Sequence, residues 1–278
     1  MIVLAPFLFA LAAHARSPEV VVTAFGPFGS YRTNPAIPIG RTLVKHLAEN
    51  GIKARFCEIL VTFGGSLDGA LRCIEGPERG RTKGPRDAPK LIFALGAGAS
   101  CIRANLETKA ENWIDGDEPD AAGVYVDGAI ESHGPDFVKL PYEATTLLSA
   151  LSSSEREWLN LSDDMGRFVC NDFAYEMSRF IANSRRYART QFAFLHVPAQ
   201  DCPESLQDAE LWSPLATKMI LAAVGKRSKT PLVVHFDPPS PKPISFELPK
   251  VDLRMPKLDP PPIPEPKTPP PIRRSGRD

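Results

Sequence analysis

Glu19-Val-Val-Val-Thr-Ala-Phe25, followed at once by Gly26-Pro27, is a run of β-branched and apolar residues cut off by two turn formers. With so little polar alternation it reads as a strand buried on both faces, as strands of parallel sheets are. Next along the chain, Ile39, Leu43 and Leu47 recur every fourth residue within 35–50 and Gly51 follows, which predicts a helix with one apolar stripe and a glycine stop. Ala54–Thr62 reads as a second strand and Ser66–Ile74 as a short helix. Lys90-Leu-Ile-Phe-Ala-Leu95 reads as a third strand ending in a loop, Gly96-Ala-Gly98. Farther on, 169–181 has helical periodicity, Gln191-Phe-Ala-Phe-Leu-His196 is another strand, and 206–224 is a last helix. Strands that alternate with helices predict an α/β chain with a single α/β/α domain around a mostly parallel, twisted central sheet.

That domain is expected over residues 16–237, with different material on either side. Residues 1–15 are nearly all apolar and end in Ala13-His14-Ala15, the small-x-small pattern of a signal-peptide cleavage site. The run is shorter than the roughly 20 apolar residues a membrane-spanning helix needs. The expectation is a cleaved leader, a secreted or periplasmic protein and no transmembrane segment in the mature chain. Without cleavage the chain would be cytoplasmic. Residues 238–278 hold 14 of the 29 prolines. Proline removes backbone donors and fixes φ, so this stretch is expected to be a disordered, polyproline-like tail.

Lys plus Arg equals Asp plus Glu at 33 each, so no global field recruits nucleic acid or an anionic membrane. The five cysteines, at 57, 73, 101, 170 and 202, include no C-x-x-C pair, and no H-E-x-x-H occurs. Neither a metal site nor a thioredoxin motif is expected. An odd number of cysteines in an exported chain leaves at least one thiol free. The other four, Cys57, Cys73, Cys101 and Cys202, have pairings that sequence does not decide. Cys101 or Cys202 close to Cys170 would expose the latter to oxidative inactivation.

Three residues carry the candidate chemistry. Cys170 stands where a helix begins after Asp164-Met-Gly-Arg-Phe-Val. There the helix dipole and free N–H groups favour a nucleophilic thiolate, and the same N–H groups can hold an oxyanion. His196 closes a strand, and ligands of open α/β sheets collect at the carboxyl ends of strands. Glu107 lies just past the glycine loop, though nothing local separates it from Glu111. A different reading takes Gly96-Ala-Gly98 as the start of a dinucleotide site, but Cys101 stands where G-x-G-x-x-G needs its third glycine.

Taken together, these segments resemble the pyroglutamyl peptidases (pyrrolidone-carboxylate peptidases). Phe25-Gly-Pro-Phe28-Gly29 with Asn34-Pro35 is similar to the family's F-x-P-F-G…N-P stretch. Leu95-Gly-Ala-Gly98 and Leu106-Glu107-Thr-Lys-Ala-Glu-Asn112 are similar to its glycine turn and L-E-R-x-A-x-N. Gly134-Pro135 with Leu140-Pro141 is another spaced pair. Gly166-Arg-Phe-Val-Cys170-Asn171 resembles the nucleophile motif, and Phe194-Leu-His196-Val-Pro198 resembles F-[IL]-H-V-P. The resemblance implies a cysteine peptidase that removes an N-terminal pyroglutamyl residue from peptides, needs no cofactor and can form oligomers. It implies Cys170 as nucleophile, His196 as proton carrier, Glu107 as the group orienting His196, and Phe25 and Phe28 as enclosure for the lactam ring. Two positions depart from the family pattern. Ala97 stands where bacterial members often have glutamine, and Asp117, in the dissimilar loop 113–123, stands where they commonly have arginine. A non-catalytic or altered-specificity member binding a peptide or a cell-envelope component is the alternative reading.

Overall fold

The computed structural model describes residues 18–76, 88–229 and 232. The expected leader 1–15, the tail 238–278 and both limits of the 16–237 span lie outside the described residues.

In chain order the elements are β1 (Val20–Phe25), α1 (Ala36–Glu49), β2 (Ala54–Ile59), α2 (Gly65–Glu75), β3 (Leu91–Ala99), β4 (Ala104–Glu107), β5 (Lys109–Glu111), β6 (Phe137–Lys139), α3 (Ala144–Ser149), α4 (Ser153–Arg156), β7 (Leu159–Ser162), α5 (Val169–Asn183), β8 (Gln191–Pro198) and α6 (Ala209–Ala223). Six strands form one sheet in the order β2-β1-β3-β8-β4-β7. β1 pairs parallel with β2 and β3, and β3 with β8. β4 turns round, running antiparallel to β8, and β7 pairs parallel with β4, so the last two strands run opposite to the other four. β5 and β6 form a separate antiparallel pair.

The alternating side chains of the central strands divide between two cores, which makes the arrangement α/β/α. Val20, Val22, Phe93, Leu95 and Leu195 meet α1 and α6 through Ile39, Leu43, Trp212 and Met219. Val21, Phe25, Ile92, Phe192 and Phe194 meet α2 and α5 through Ala70, Phe173 and Met177. β1 is buried along its whole length, as a run of apolar residues with Thr23 as its one polar member requires. Among the described residues no helix is long and apolar enough to cross a membrane.

Three expectations need correction. β3 does not stop at Leu95 but continues through Gly96, Ala97 and Gly98 to Ala99, so these glycines belong to a strand rather than a loop. β8 runs two residues past His196 to Pro198, still paired with β3. The last helix begins at Ala209, where Asp208 caps it by accepting from Glu210 N, and 204–206 form a separate 3₁₀ turn. β4 and β7 were not anticipated, because four-residue alternations such as Ala104-Asn-Leu-Glu107 are too short to show a period.

Candidate active site

Period-two alternation decides which side chains meet. In β8, Leu195 and Val197 face the α1/α6 core, so His196 faces α5 together with Phe194. The same parity places Gly96 and Gly98 of β3 and Asn105 and Glu107 of β4 on that side. Gly96 is the register partner of His196 in β3, and Asn105 its partner in β4.

Across this row, His196 Nδ1 donates to Glu107 Oε1 at 2.8 Å. Glu107 is fully buried and His196 nearly so. Glu107 Oε2 is buried with no hydrogen-bond partner, so the carboxylate is committed to His196 through one oxygen. The Tyr142 hydroxyl donates to the Glu107 carbonyl at 2.7 Å. Burial and the Glu107 charge push the Tyr142 hydroxyl well above its usual range, which keeps it a neutral donor.

The opposite edge of the imidazole faces Cys170. Burial works against the His196 cation. The charge of the Cys170 thiolate, a hydrogen bond with it, and then the Glu107 contact outweigh burial and raise His196 to about 10. The imidazolium of His196 is therefore favoured where the ring meets Cys170. Cys170 is half-buried and is the free cysteine among the described residues. It follows Val169 in the first turn of α5, whose N-cap Phe168 supplies no side-chain acceptor. The first-turn N–H groups there have no capping side chain and are open to an oxyanion.

Gly96 and Gly98 make room for the imidazole. A Cβ on Gly96 would lie 2.8 Å from His196 Cδ2 and 2.9 Å from the Phe194 ring, and one on Gly98 would lie 3.3 Å from His196 Cδ2. Close approach to a side chain, not a nucleotide-binding turn, is what their lack of a Cβ permits.

Cys170, His196 and Glu107 open into a cavity of about 330 Å³ that Asn105, Met165 and Phe168 also line. Phe28 packs on Phe168 at 4.9 Å between ring centroids, and Phe63 packs on the same ring at 5.4 Å. Phe28 thus stands behind an aromatic wall of the cavity. Phe25 is 2% exposed. It sits in the core against Phe173 and Phe194, and Phe194 in turn packs on His196.

Ala97 lines the cavity, whereas Asp117 is exposed in its loop and is not among the lining residues. That loop is fastened by Asp120, whose Oδ2 accepts from Phe63 N and whose Oδ1 accepts from Ala122 N and Val124 N. Although burial opposes it, these backbone donors hold the Asp120 carboxyl below its ordinary range. Asn171 clamps the entry of the loop to α5, accepting from Glu111 N and donating to the carbonyls of Glu111 and Trp113. Sequence reasoning missed Asn105, Asp120 and Phe168. Of these only Phe168 carried a signal, as part of the motif around Cys170.

The cysteines left open by the sequence form two disulfides, Cys57–Cys73 and Cys101–Cys202. The second joins the connection after β3 to the connection after β8, the two strands that hold Gly96 and His196. Among the described residues no group of three or more His, Cys, Asp or Glu is placed to hold a metal ion.

The sequence model of the pyroglutamyl peptidase family matches residues 18–229. The pyrrolidone-carboxylate peptidase of Streptomyces coelicolor is 30% identical over 194 residues, covering 68% of this chain and 81% of that protein. The Erwinia tasmaniensis pyrrolidone-carboxylate peptidase is 29% identical over 212 residues, covering 74% of this chain and 87% of its own length. The fold is similar to that of Bacillus amyloliquefaciens pyroglutamyl peptidase I, with a TM-score of 0.59 at 19% identity, covering 75% of this chain and 97% of that one. With the family model spanning most of the domain and full-length relatives at this level of identity, the chain belongs to the pyroglutamyl peptidase family.

Proposed function

We propose that this chain is a cysteine peptidase that removes an N-terminal pyroglutamyl residue from peptides, with Cys170 as nucleophile. The observation that carries the reading is the placement of His196 between Glu107 and Cys170 at a partly enclosed cavity.

The Cys170 thiolate attacks the pyroglutamyl carbonyl carbon, forming a C–S bond while the carbonyl electrons move onto oxygen. N–H groups of the first turn of α5 stabilise that oxyanion. When the carbonyl re-forms, the C–N bond breaks and the leaving amine takes the proton of the His196 imidazolium. Neutral His196 then removes a proton from water, whose oxygen attacks the thioester. Pyroglutamic acid leaves, and the thiolate and imidazolium are restored. Glu107 holds the imidazole in one orientation throughout and stabilises its cation at the steps where the ring carries two protons. A pyroglutamyl residue has no charge and no free amine, which suits the apolar wall that Met165 and Phe168 give the cavity.

The test is release of a fluorescent amine from a pyroglutamyl amide, under reducing conditions, beside a Cys170→Ala variant. Wild-type turnover with a loss of about 10⁴-fold or more in the variant supports the reading. A folded wild-type protein that releases nothing sinks it.

We also propose that the chain works in an oxidising compartment, secreted or periplasmic. Support comes from the two disulfides, a pattern rare in reducing cytosol. Thiol labelling of protein taken directly from its native compartment checks this. One reactive cysteine is the expected result, and five would contradict it.

A further inference from the structure

Asn105 is directly opposite His196 in the antiparallel β4–β8 pair and on the same face of the sheet. Side chains at such positions are close neighbours. The orientation of its amide is determined from outside the site. Arg103 Nη1 donates to Asn160 Oδ1 at 3.3 Å. A guanidinium has no acceptor, so the Asn160 oxygen must face Arg103 and its nitrogen must face the other way. Asn160 Nδ2 accordingly donates to Asn105 Oδ1 at 3.2 Å. The amide nitrogen of Asn105 is left over, with no acceptor among the described residues. Asn105 lines the cavity, where only it and His196 carry side-chain N–H groups.

Resting on the reaction proposed above, the position of the remaining substrate atoms follows from His196. The leaving nitrogen must lie against His196 to receive its proton, so the residue after pyroglutamate extends over the sheet neighbours of His196. On the β3 side these are Gly96 and Gly98, which offer no side chain. On the β4 side it is Asn105. We propose that Asn105 Nδ2 donates a hydrogen bond to the backbone carbonyl of the residue that follows pyroglutamate. Asn105 is thus a substrate-positioning residue that distinguishes a peptide from a simple amide.

The experiment compares two substrates, a pyroglutamyl dipeptide amide, which has that carbonyl, and a pyroglutamyl anilide, which lacks it. Asn105→Ala and Asn105→Leu both remove the donor, and the leucine variant keeps the volume. Both are expected to lower kcat/KM on the dipeptide about tenfold, mostly through KM, and on the anilide by less than about twofold. Equal losses on both substrates would mean a merely structural role and overturn the proposal, as would no loss on either. If Asn105→Ala unfolds, the leucine variant carries the same comparison. A wild-type protein inactive on both substrates defeats the proposed reaction itself, and this inference with it.

Discussion

A Cβ on Gly96 would lie 2.8 Å from Cδ2 of His196, its register partner in the neighbouring strand. The contact is with a ring already held on its other side by Glu107, so the imidazole has little freedom to yield. Gly96→Ala is therefore expected to displace His196 from Cys170 and lower kcat/KM by about 100-fold or more. Overpacking adds a stability cost of about 1–3 kcal/mol. Gly98→Ala, with a 3.3 Å approach, is expected to do markedly less. Steady-state kinetics with thermal unfolding of both variants decides this, and equal behaviour would count against the packing argument.

The charge on Glu107 is expected to appear in the pH profile. Against burial, the charge on Cys170 and the Glu107 contact push His196 up from its ordinary 6.5 to about 10 in the fold. A raised histidine contributes stability that is fully present below pH 6.5 and lost as pH rises through about 10. The imidazolium should persist over the same range, so activity should fall on the alkaline side near pH 10. Glu107→Gln removes one of the charges that sustain the cation. Its alkaline limb should move to lower pH, with kcat/KM down at least about 100-fold. An unmoved limb would show that Glu107 does not act on His196 electrostatically.

Cys101–Cys202 closes a loop with a sequence separation of 101, against 16 for Cys57–Cys73. Loop-closure entropy makes the longer link the more stabilising, at about 2–5 kcal/mol. The Cys101→Ala/Cys202→Ala pair is expected to lower Tm more than Cys57→Ala/Cys73→Ala. It should also lower activity, because it frees the connections that follow the strands of Gly96 and His196. Calorimetry and kinetics on the two double variants test this, and the reverse ranking would be fatal to it.

Asp172 and Glu176 lie one turn apart on α5, and burial raises them to about 6 and about 7. Glu176 feels the Asp172 charge as a second cause, and its Oε2 is buried without a partner. Both acids prefer to be protonated in the fold, so their contribution to stability is present below the unfolded values of 3.8 and 4.5 and is lost as pH rises through about 6 and about 7. Glu176→Gln is expected to stabilise the protein at about pH 8 by about 1 kcal/mol, after allowing for solvent screening, with little effect at about pH 4. Urea denaturation at the two pH values measures the difference, and equal stabilisation at both would refute the assignment.

Much of the architecture was legible in the residue order. The β-branched and apolar runs within 19–25 and 191–196 read as buried strands, and the four-residue spacing of Ile39, Leu43 and Leu47 as one face of a helix. Cys170 was legible because a glycine-bearing turn before an amphipathic stretch marks a helix start, and His196 because it is near the end of a strand. Glu107 was not separable from Glu111 by any local property. One is fully buried against His196 and the other is bonded to Arg167, a difference made by strand pairing.

Sequence by itself thus determined the alternation of strands and helices, the family to which the chain belongs, and the candidates for nucleophile and proton carrier. These depend on period, composition and motif, all of which are local along the chain. Tertiary structure alone decided that β4 runs antiparallel to β8, which brings Asn105 and Glu107 beside His196. It also decided that Gly96 and Gly98 are clearance for a ring rather than a loop, and which cysteines pair. Each of these is set by the register between segments distant in sequence, and register is fixed only when all the strands bury their apolar faces together.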